Sequence, residues 1–215
     1  MRNSVIQAIK EHKLIAIVRG VDAENCIRVA QALYDGGFRL MEITYDQTHP
    51  ETWEQTARTI GAVREHFAGK MFIGAGTVTT PELVELTAEF GGQFIISPDT
   101  NVQVIRRAVE LGLVSIPGAL TPTEAMTAHT AGADFVKLFP AGNFGPKYVK
   151  AVKAPLSHVT MLVVGGIDEN NIADFLKAGA AGAGIGGNLV NKDWVKAGEY
   201  DKITKAAQML VAATK

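Results

Sequence analysis

The stretch LIAIVRGVDAENCIRVAQALYDGGFRLMEIT (residues 14–44) contains two short apolar runs separated by a segment with a helical pattern. The runs LIAIV (14–18) and LMEIT (40–44) have the length and the β-branched content that are typical of strands. Between them, AENCIRVAQALYDGG (23–37) repeats apolar residues at helical spacing and ends in glycine, as helices often do. The stretch therefore predicts a strand, a helix and a second strand, in that order.

The same unit repeats along the rest of the chain. Six further runs have the character of strands: MFIGA (71–75), FIIS (94–97), LVSIPG (113–118), FVKLF (135–139), TMLVVGG (160–166) and AGAGIGG (181–187). These runs are continuously apolar rather than strictly alternating, which indicates parallel strands buried on both faces by helices. Eight such units predict an α/β fold, a closed (β/α)8 TIM barrel, in which RNSVIQAIKEHK (2–13) is an extra N-terminal helix.

A doubly wound open sheet is the competing interpretation. No G-x-G-x-x-G motif follows the first strand to support it, and GAGTVT and GAGIGG lie at the third and eighth strands, where tight turns explain them better. The chain of 215 residues has no segment with the composition of a linker. We therefore expect one barrel domain over residues 1–215.

Charge and composition restrict the partners that we expect. The net charge is −1 with both signs mixed along the chain, which does not favour nucleic acid or an anionic membrane as a partner. No apolar run reaches the length of a membrane span, and the charged start of the chain does not resemble a signal peptide. With Cys26 as the single cysteine, the sequence predicts a cytoplasmic protein that acts on a small molecule.

Two charged residues lie inside predicted strands. Active sites of TIM barrels lie at the carboxyl ends of the strands, and both Glu42 in LMEIT and Lys137 in FVKLF occur near such ends. Alternation places each of them opposite apolar neighbours in its strand. If those neighbours face the helices, both charged side chains point into the barrel.

Three interpretations of Glu42 and Lys137 remain open at this point. They could form a buried ion pair, or extend to the rim of the barrel, or carry out chemistry. A lysine in a poorly solvated site, near a second cation such as Arg19, has a lowered pKa and supplies a nucleophilic amine. An amine and an acid/base carboxylate are what Schiff-base chemistry on a ketone requires. The five histidines show no ligand spacing, so we expect no metal site.

Paired glycines follow the seventh and eighth predicted strands, in VVGGIDENN (163–171) and GIGGNL (184–189). In TIM barrels the loops after these two strands commonly hold phosphate, and backbone N–H groups exposed by glycine can bind an anion. The pairs Gly165–Gly166 and Gly186–Gly187 are therefore candidates for an anion site.

Several motifs together resemble the 2-keto-3-deoxy-6-phosphogluconate (KDPG) / 4-hydroxy-2-oxoglutarate (KHG) aldolase family. They are GAGTV (74–78), SP (97–98), PG with TPTEA (117–118 and 121–125), KLFPA (137–141), VGGI (164–167) and GIGGN (184–188). The resemblance runs in register over essentially the whole chain. It implies a class I aldolase on a (β/α)8 barrel, needing no cofactor, generally a homotrimer, that cleaves a 2-keto-3-deoxy sugar acid to pyruvate and an aldehyde.

The resemblance also implies roles for individual residues. Lys137 takes the position of the Schiff-base lysine and Glu42 that of the general acid/base. Thr77 takes the position that contacts the pyruvate moiety, and the four glycines of the two pairs that of the phosphate site. Pro98 and Phe139, within the matching SP and KLFPA motifs, are assigned to substrate binding.

The sequence departs from the gluconate branch of the family at two positions. Asp46 stands where an arginine is usual, and Asn188 stands where a serine is frequent. IAIVRG (15–20) is instead similar to the galactonate branch, in which the arginine that ends strand 1 serves the substrate carboxylate, and this role is assigned to Arg19. The alternative function is a non-aldolase TIM-barrel enzyme that binds a phosphorylated metabolite, an isomerase or synthase. A ligand-binding protein on an inactivated barrel is less favoured, because the lysine and the glutamate are both present.

Overall fold

The structure is a computed structural model that describes all residues from Met1 to Lys215. Its nine strands are β1 (Leu14–Val18), β2 (Leu40–Thr44), β3 (Phe72–Gly76), β4 (Phe94–Ile96), β5 (Val114–Ile116), β6 (Gly118–Ala119), β7 (Val136–Leu138), β8 (Met161–Val164) and β9 (Gly182–Ile185). Its ten helices are α1 (Arg2–His12), α2 (Ala23–Asp35), α3 (Trp53–His66), α4 (Pro81–Glu89), α5 (Val102–Glu110), α6 (Pro122–Thr130), α7 (Gly145–Lys153), α8 (Ile172–Lys177), α9 (Lys192–Ala197) and α10 (Tyr200–Ala213). None of these helices combines the length and the apolar composition that a membrane span requires.

All strands are parallel and form one sheet in the order β5-β4-β3-β2-β1-β9-β8-β7-β6. The two end strands are consecutive in the chain, separated only by Pro117, so the ring is closed through the chain itself. The carbonyl of Pro117 accepts from the Lys137 N–H (2.8 Å), and the carbonyl of Ser115 accepts from the Phe135 N–H (3.3 Å). The predicted TIM barrel with an extra N-terminal helix is confirmed.

The fifth predicted strand, residues 113–118, differs from the expectation because it is divided into β5 and β6. Proline has no N–H to donate, so the ladder is interrupted at Pro117. The first part pairs with β4 and the second part pairs with β7. One predicted strand thus spans the seam of the barrel.

The apolar side chains of the strands separate into an inner and an outer layer. Leu40 and Phe135 belong to the inner cluster inside the barrel, whereas Met41 and Ile43 belong to a larger cluster packed against the helices. The predicted alternation is therefore observed in β2, and it turns Glu42 toward the interior of the barrel.

Helix α1 covers one end of the barrel. Its buried residues Val5, Ala8 and Ile9 belong to the same inner cluster as the strand residues. Arg2 at its start forms a salt bridge of 2.8 Å with Asp134, just before β7. The apolar filling at this end leaves the carboxyl ends of the strands as the place where polar side chains gather.

Candidate active site

A cavity of about 690 Å³ lies at the carboxyl ends of the strands. All ten residues predicted to form the site line it: Arg19, Glu42, Thr77, Pro98, Lys137, Phe139, Gly165, Gly166, Gly186 and Gly187. They come from β2, β7 and the loops after six strands. The barrel thus brings to one place residues that are far apart in the chain.

Glu42 is buried in the wall of this cavity, with 2% of its surface exposed. A Cβ atom added to Gly76 on the neighbouring strand β3 would lie 2.6 Å from the carboxyl carbon of Glu42, so glycine at this position leaves room for the carboxyl group. The Oε2 atom of Glu42 is buried and has no hydrogen-bond partner. Burial raises the pKa of Glu42 to about 7, against the opposing effect of the positive charges of Lys137 and Arg19.

Lys137 is also buried, with 8% of its surface exposed. Its Nζ atom lies 5.0 Å from the centre of the Phe139 ring, within the range of a cation–π contact. Burial is the main cause that lowers the pKa of Lys137; Arg19 lowers it further, while Glu42 and Asp99 oppose the shift. Lys137 and Glu42 influence each other's pKa but form no salt bridge, and both are displaced toward their neutral forms.

Arg19 and Thr77 lie on the same side of the cavity, and both also line a neighbouring cavity of about 640 Å³. Arg19 has no salt-bridge partner within the chain. Thr77 has a backbone φ of +56°, in the left-handed region that β-branched residues rarely adopt. Its carbonyl accepts a hydrogen bond of 2.9 Å from Gln47 Nε2, while its N–H and Oγ1 have no partner in the chain.

The two glycine pairs present free backbone donors. None of the N–H groups of Gly165, Gly166, Gly186 and Gly187 donates to another group of the chain. The carbonyls of the first pair are occupied, since that of Gly165 accepts from the Gly142 N–H (2.8 Å) and that of Gly166 accepts from Asn171 Nδ2 (2.9 Å). A Cβ atom added to either glycine of the second pair would meet nothing within 4 Å, so this backbone is open to the cavity. Four unpaired donors suit an anion.

Lys192 is a cavity residue that sequence reasoning missed. It lines both cavities, and its Nζ lies 2.9 Å from where a Cβ atom of Gly20 would be. It forms no salt bridge, so it adds an unpaired positive charge to the wall. Its place shortly after the last strand, at the start of α9 and on the active face, was the signal available in the sequence. Asn188 and Asn191 line the cavity beside it.

Asp46, the residue in place of the gluconate-branch arginine, does not line the main cavity. Its carboxylate accepts hydrogen bonds from Thr48 Oγ1 (2.6 Å) and from the Thr48 N–H (2.9 Å). These bonds, the side-chain one first, lower the pKa of Asp46. The negative charge is thus held in a turn at the surface.

Comparison with known proteins agrees with this geometry. The family model of KDPG and KHG aldolase matches residues 5–206. The chain is 43% identical over 177 residues to the 2-dehydro-3-deoxy-6-phosphogalactonate aldolase of Escherichia coli K12, covering 82% of this chain and 83% of the relative. It is 34% identical over 196 residues to the KHG/KDPG aldolase of the same organism, covering 89% and 87%. A solved structure described as native KDPGal superposes with a TM-score of 0.85 at 39% identity, over 94% of this chain and 93% of that chain. The chain therefore belongs to the KDPG and KHG aldolase family.

Proposed function

We propose that this protein is a class I aldolase that cleaves a 2-keto-3-deoxy-6-phospho sugar acid to pyruvate and glyceraldehyde 3-phosphate. The observation that carries the proposal is the pair Lys137 and Glu42, buried in one cavity with both pKa values displaced toward the neutral form. A neutral lysine is a nucleophile, and a carboxyl group with a pKa of about 7 can both accept and donate a proton near neutral pH.

Lys137 begins the reaction by attacking the C2 ketone of the substrate. The carbinolamine that forms loses water to give an iminium ion, which is an electron sink for the cleavage that follows. Burial favours this step, because it keeps part of the lysine in the unprotonated form that can attack.

Glu42 then accepts the proton of the C4 hydroxyl group, through a bridging water. The electron pair of the C3–C4 bond moves into the iminium, so the aldehyde leaves and a pyruvate enamine remains on Lys137. Glu42 returns its proton toward C3 of the enamine, and hydrolysis of the resulting iminium releases pyruvate and restores the free amine. The unpartnered, buried Oε2 atom of Glu42 supports this role.

The two anionic ends of the substrate match two groups of donors in the cavity. Arg19 and Thr77 bind the carboxylate, for which the planar guanidinium offers two parallel donors. The four glycine N–H groups bind the distal phosphate, with the charge of Lys192 nearby. Pro98 and Phe139 form apolar parts of the wall between these ends.

The galactonate configuration is the substrate that we favour. The identity to the E. coli 2-dehydro-3-deoxy-6-phosphogalactonate aldolase, 43%, exceeds the identity to the KHG/KDPG aldolase, 34%. Cleavage of 4-hydroxy-2-oxoglutarate to pyruvate and glyoxylate is the second candidate, favoured by the latter relative. The phosphorylated substrate makes fuller use of the cavity, because it places an anion on the free glycine donors.

We further infer that residues 1–215 form one domain, that the chain works without a cofactor in the cytoplasm, and that it assembles as a homotrimer. The trimer is implied by the family resemblance. The exposed side chains of Phe139 and Phe144, which both follow β7, offer apolar surface for an interface. Light scattering coupled to gel filtration measures the mass of the assembly directly.

Trapping with borohydride tests the mechanism. Reduction of the enzyme in the presence of pyruvate should attach one pyruvate-derived group to the peptide containing FVKLFPAGN (135–143). Lys137→Met, which fills a similar volume without the amine, should fold, give no adduct and have no turnover. Active enzyme that gives no adduct on Lys137 would exclude the class I mechanism.

A further inference from the structure

The loop after β3 contains a residue in a conformation that its own side chain does not favour. Thr77 has φ +56°, and β-branched residues seldom occupy this left-handed region. Thr77 also lines the cavity, and its N–H and Oγ1 have no partner in the chain. Contacts from neighbouring residues must therefore hold the Thr77 backbone in this left-handed conformation.

Gln47, in the loop after β2, contacts this loop at two points. Its Nε2 donates to the Thr77 carbonyl at 2.9 Å, and its Oε1 accepts from Thr79 Oγ1 at 2.8 Å. On the other side, the Val78 N–H donates to the Ile96 carbonyl (3.2 Å). The backbone at Thr77 is thus held between β2 and β4.

Gln47 is itself held in place by its neighbours in sequence. The Asp46 carboxylate closes the turn onto Thr48, and the Asp46 carbonyl accepts from Trp53 Nε1 at 2.8 Å. The Tyr45 N–H donates to the Gly76 carbonyl at 3.0 Å, next to Thr77. These hydrogen bonds order the loop after β2 and thereby fix the position of the Gln47 amide.

We propose that Gln47 is a positioning residue for substrate binding, which fixes Thr77 so that its N–H and Oγ1 face the carboxylate of the pyruvyl group. The hydrogen bond from Gln47 holds the Thr77 carbonyl, and thereby leaves the two donors of Thr77 for the ligand. This inference rests on the proposed function, in which Thr77 binds that carboxylate. It also gives Asp46 a role, since this residue forms the turn that presents Gln47.

The test measures the pyruvate concentration that gives half-maximal borohydride trapping on Lys137. Gln47→Ala removes both hydrogen bonds, and the loss of the one to Thr77 should raise this concentration about three- to tenfold. Gln47→Glu should have a similar or larger effect, because a carboxylate can still accept from Thr79 but cannot donate to Thr77. The KM for the aldehyde in the condensation direction should change less than about twofold. A general loss of structure would instead raise the KM for the aldehyde as well.

A matched control is Gln55→Ala. Gln55 lines the same neighbouring cavity, but its side chain makes no hydrogen bond with Thr77 or Thr79. This variant should leave the half-saturating pyruvate concentration within about twofold of wild type. An equal rise in the Gln55 and Gln47 variants would overturn the proposal.

Substitutions at Thr77 provide a second, independent measurement. Asparagine adopts the left-handed region far more readily than β-branched residues, whereas valine keeps the shape of threonine. Adding Gln47→Ala should therefore change the half-saturating pyruvate concentration little in a Thr77→Asn background. In a Thr77→Val background it should raise this concentration as much as it does in wild type. Equal changes in both backgrounds would overturn the positioning role. Wild-type enzyme that is not trapped by pyruvate would instead refute the proposed function itself.

Discussion

The stability of the Glu42→Gln variant relative to wild type, measured as the free energy of unfolding, should increase as the pH rises. Glu42 is buried, and its pKa is raised from the ordinary value of 4.5 to about 7, chiefly by burial. Between these two values the folded chain holds a proton on Glu42 that the unfolded chain has lost. Unfolding then releases a proton, so the stability of wild type must fall as the pH increases through this interval. Glutamine cannot ionise and removes this loss.

The size of the effect follows from the two pKa values. Each pH unit between them costs wild type about 1.4 kcal/mol, so the full interval from 4.5 to about 7 amounts to about 3 kcal/mol. For a chain of this size, about 3 kcal/mol corresponds to a shift in Tm of about 6 to 12 °C.

Thermal unfolding of both proteins at about pH 5 and at about pH 8, at one protein concentration, measures this difference. The Tm of Glu42→Gln minus that of wild type should be greater at the higher pH. Glu65→Gln, the same substitution on the exposed surface of α3, serves as the control and should give a difference that does not change with pH. A difference for Glu42→Gln that is equally flat would show that the carboxyl group is not shifted in the folded chain, and would refute the reasoning.

Four further outcomes follow from the site. The kcat/KM of wild type should rise as the pH increases through about 7, because Glu42 must lose its proton to act as a base; an acid limb near 4.5 would contradict this. Gly187→Asp should lower kcat/KM for the 6-phosphorylated substrate at least about tenfold, whereas Gly187→Ala should keep it, because the added Cβ meets nothing within 4 Å; equal losses would argue against an anion site. Lys192→Met should lower kcat/KM for the 6-phosphorylated substrate about fivefold, whereas Lys196→Met, on the same helix but outside the cavity, should not. An equal decrease in kcat/KM for an unphosphorylated analogue would exclude a contact between Lys192 and the phosphate. Treatment with EDTA should leave turnover unchanged, since the ketone is activated covalently; activity that returns only with added divalent metal would favour a class II aldolase.

The parts of the site that lie in strands could be predicted from the sequence because strand alternation is a local property. Once Met41 and Ile43 are taken as facing the helices, Glu42 must face the interior, and the structure has this arrangement. The same reasoning places Lys137. The division of the fifth strand at Pro117 could not be predicted in the same way. It depends on the pairing of β5 with β4 and of β6 with β7, which local alternation does not specify.

The parts of the site that lie in loops depend on the path of the chain, which the sequence does not specify locally. The same holds for Lys192 at the start of α9, whose Nζ lies close to Gly20, a residue far away in sequence. The conformation of Thr77 is equally hidden, because threonine is not a residue that suggests a left-handed backbone. The glycine pairs could be identified because glycine itself is the signal, and their free N–H groups follow from an open backbone.

The exchange of the gluconate-branch arginine for Asp46 is consistent with the geometry of the first two strands. Strands β1 and β2 are neighbours, Val18 pairs with Ile43, and Thr44 Oγ1 donates to the Val18 carbonyl at 3.1 Å. Arg19, which follows Val18 directly, therefore leaves the barrel at the same level as the end of β2. A guanidinium group directly after β1 can reach the same region of the cavity as one from the loop after β2, so that loop can instead form the turn that contains Gln47. In the proposed site, the positive charge for the carboxylate then comes from the residue after β1, and the hydrogen bond to Thr77 comes from the loop after β2.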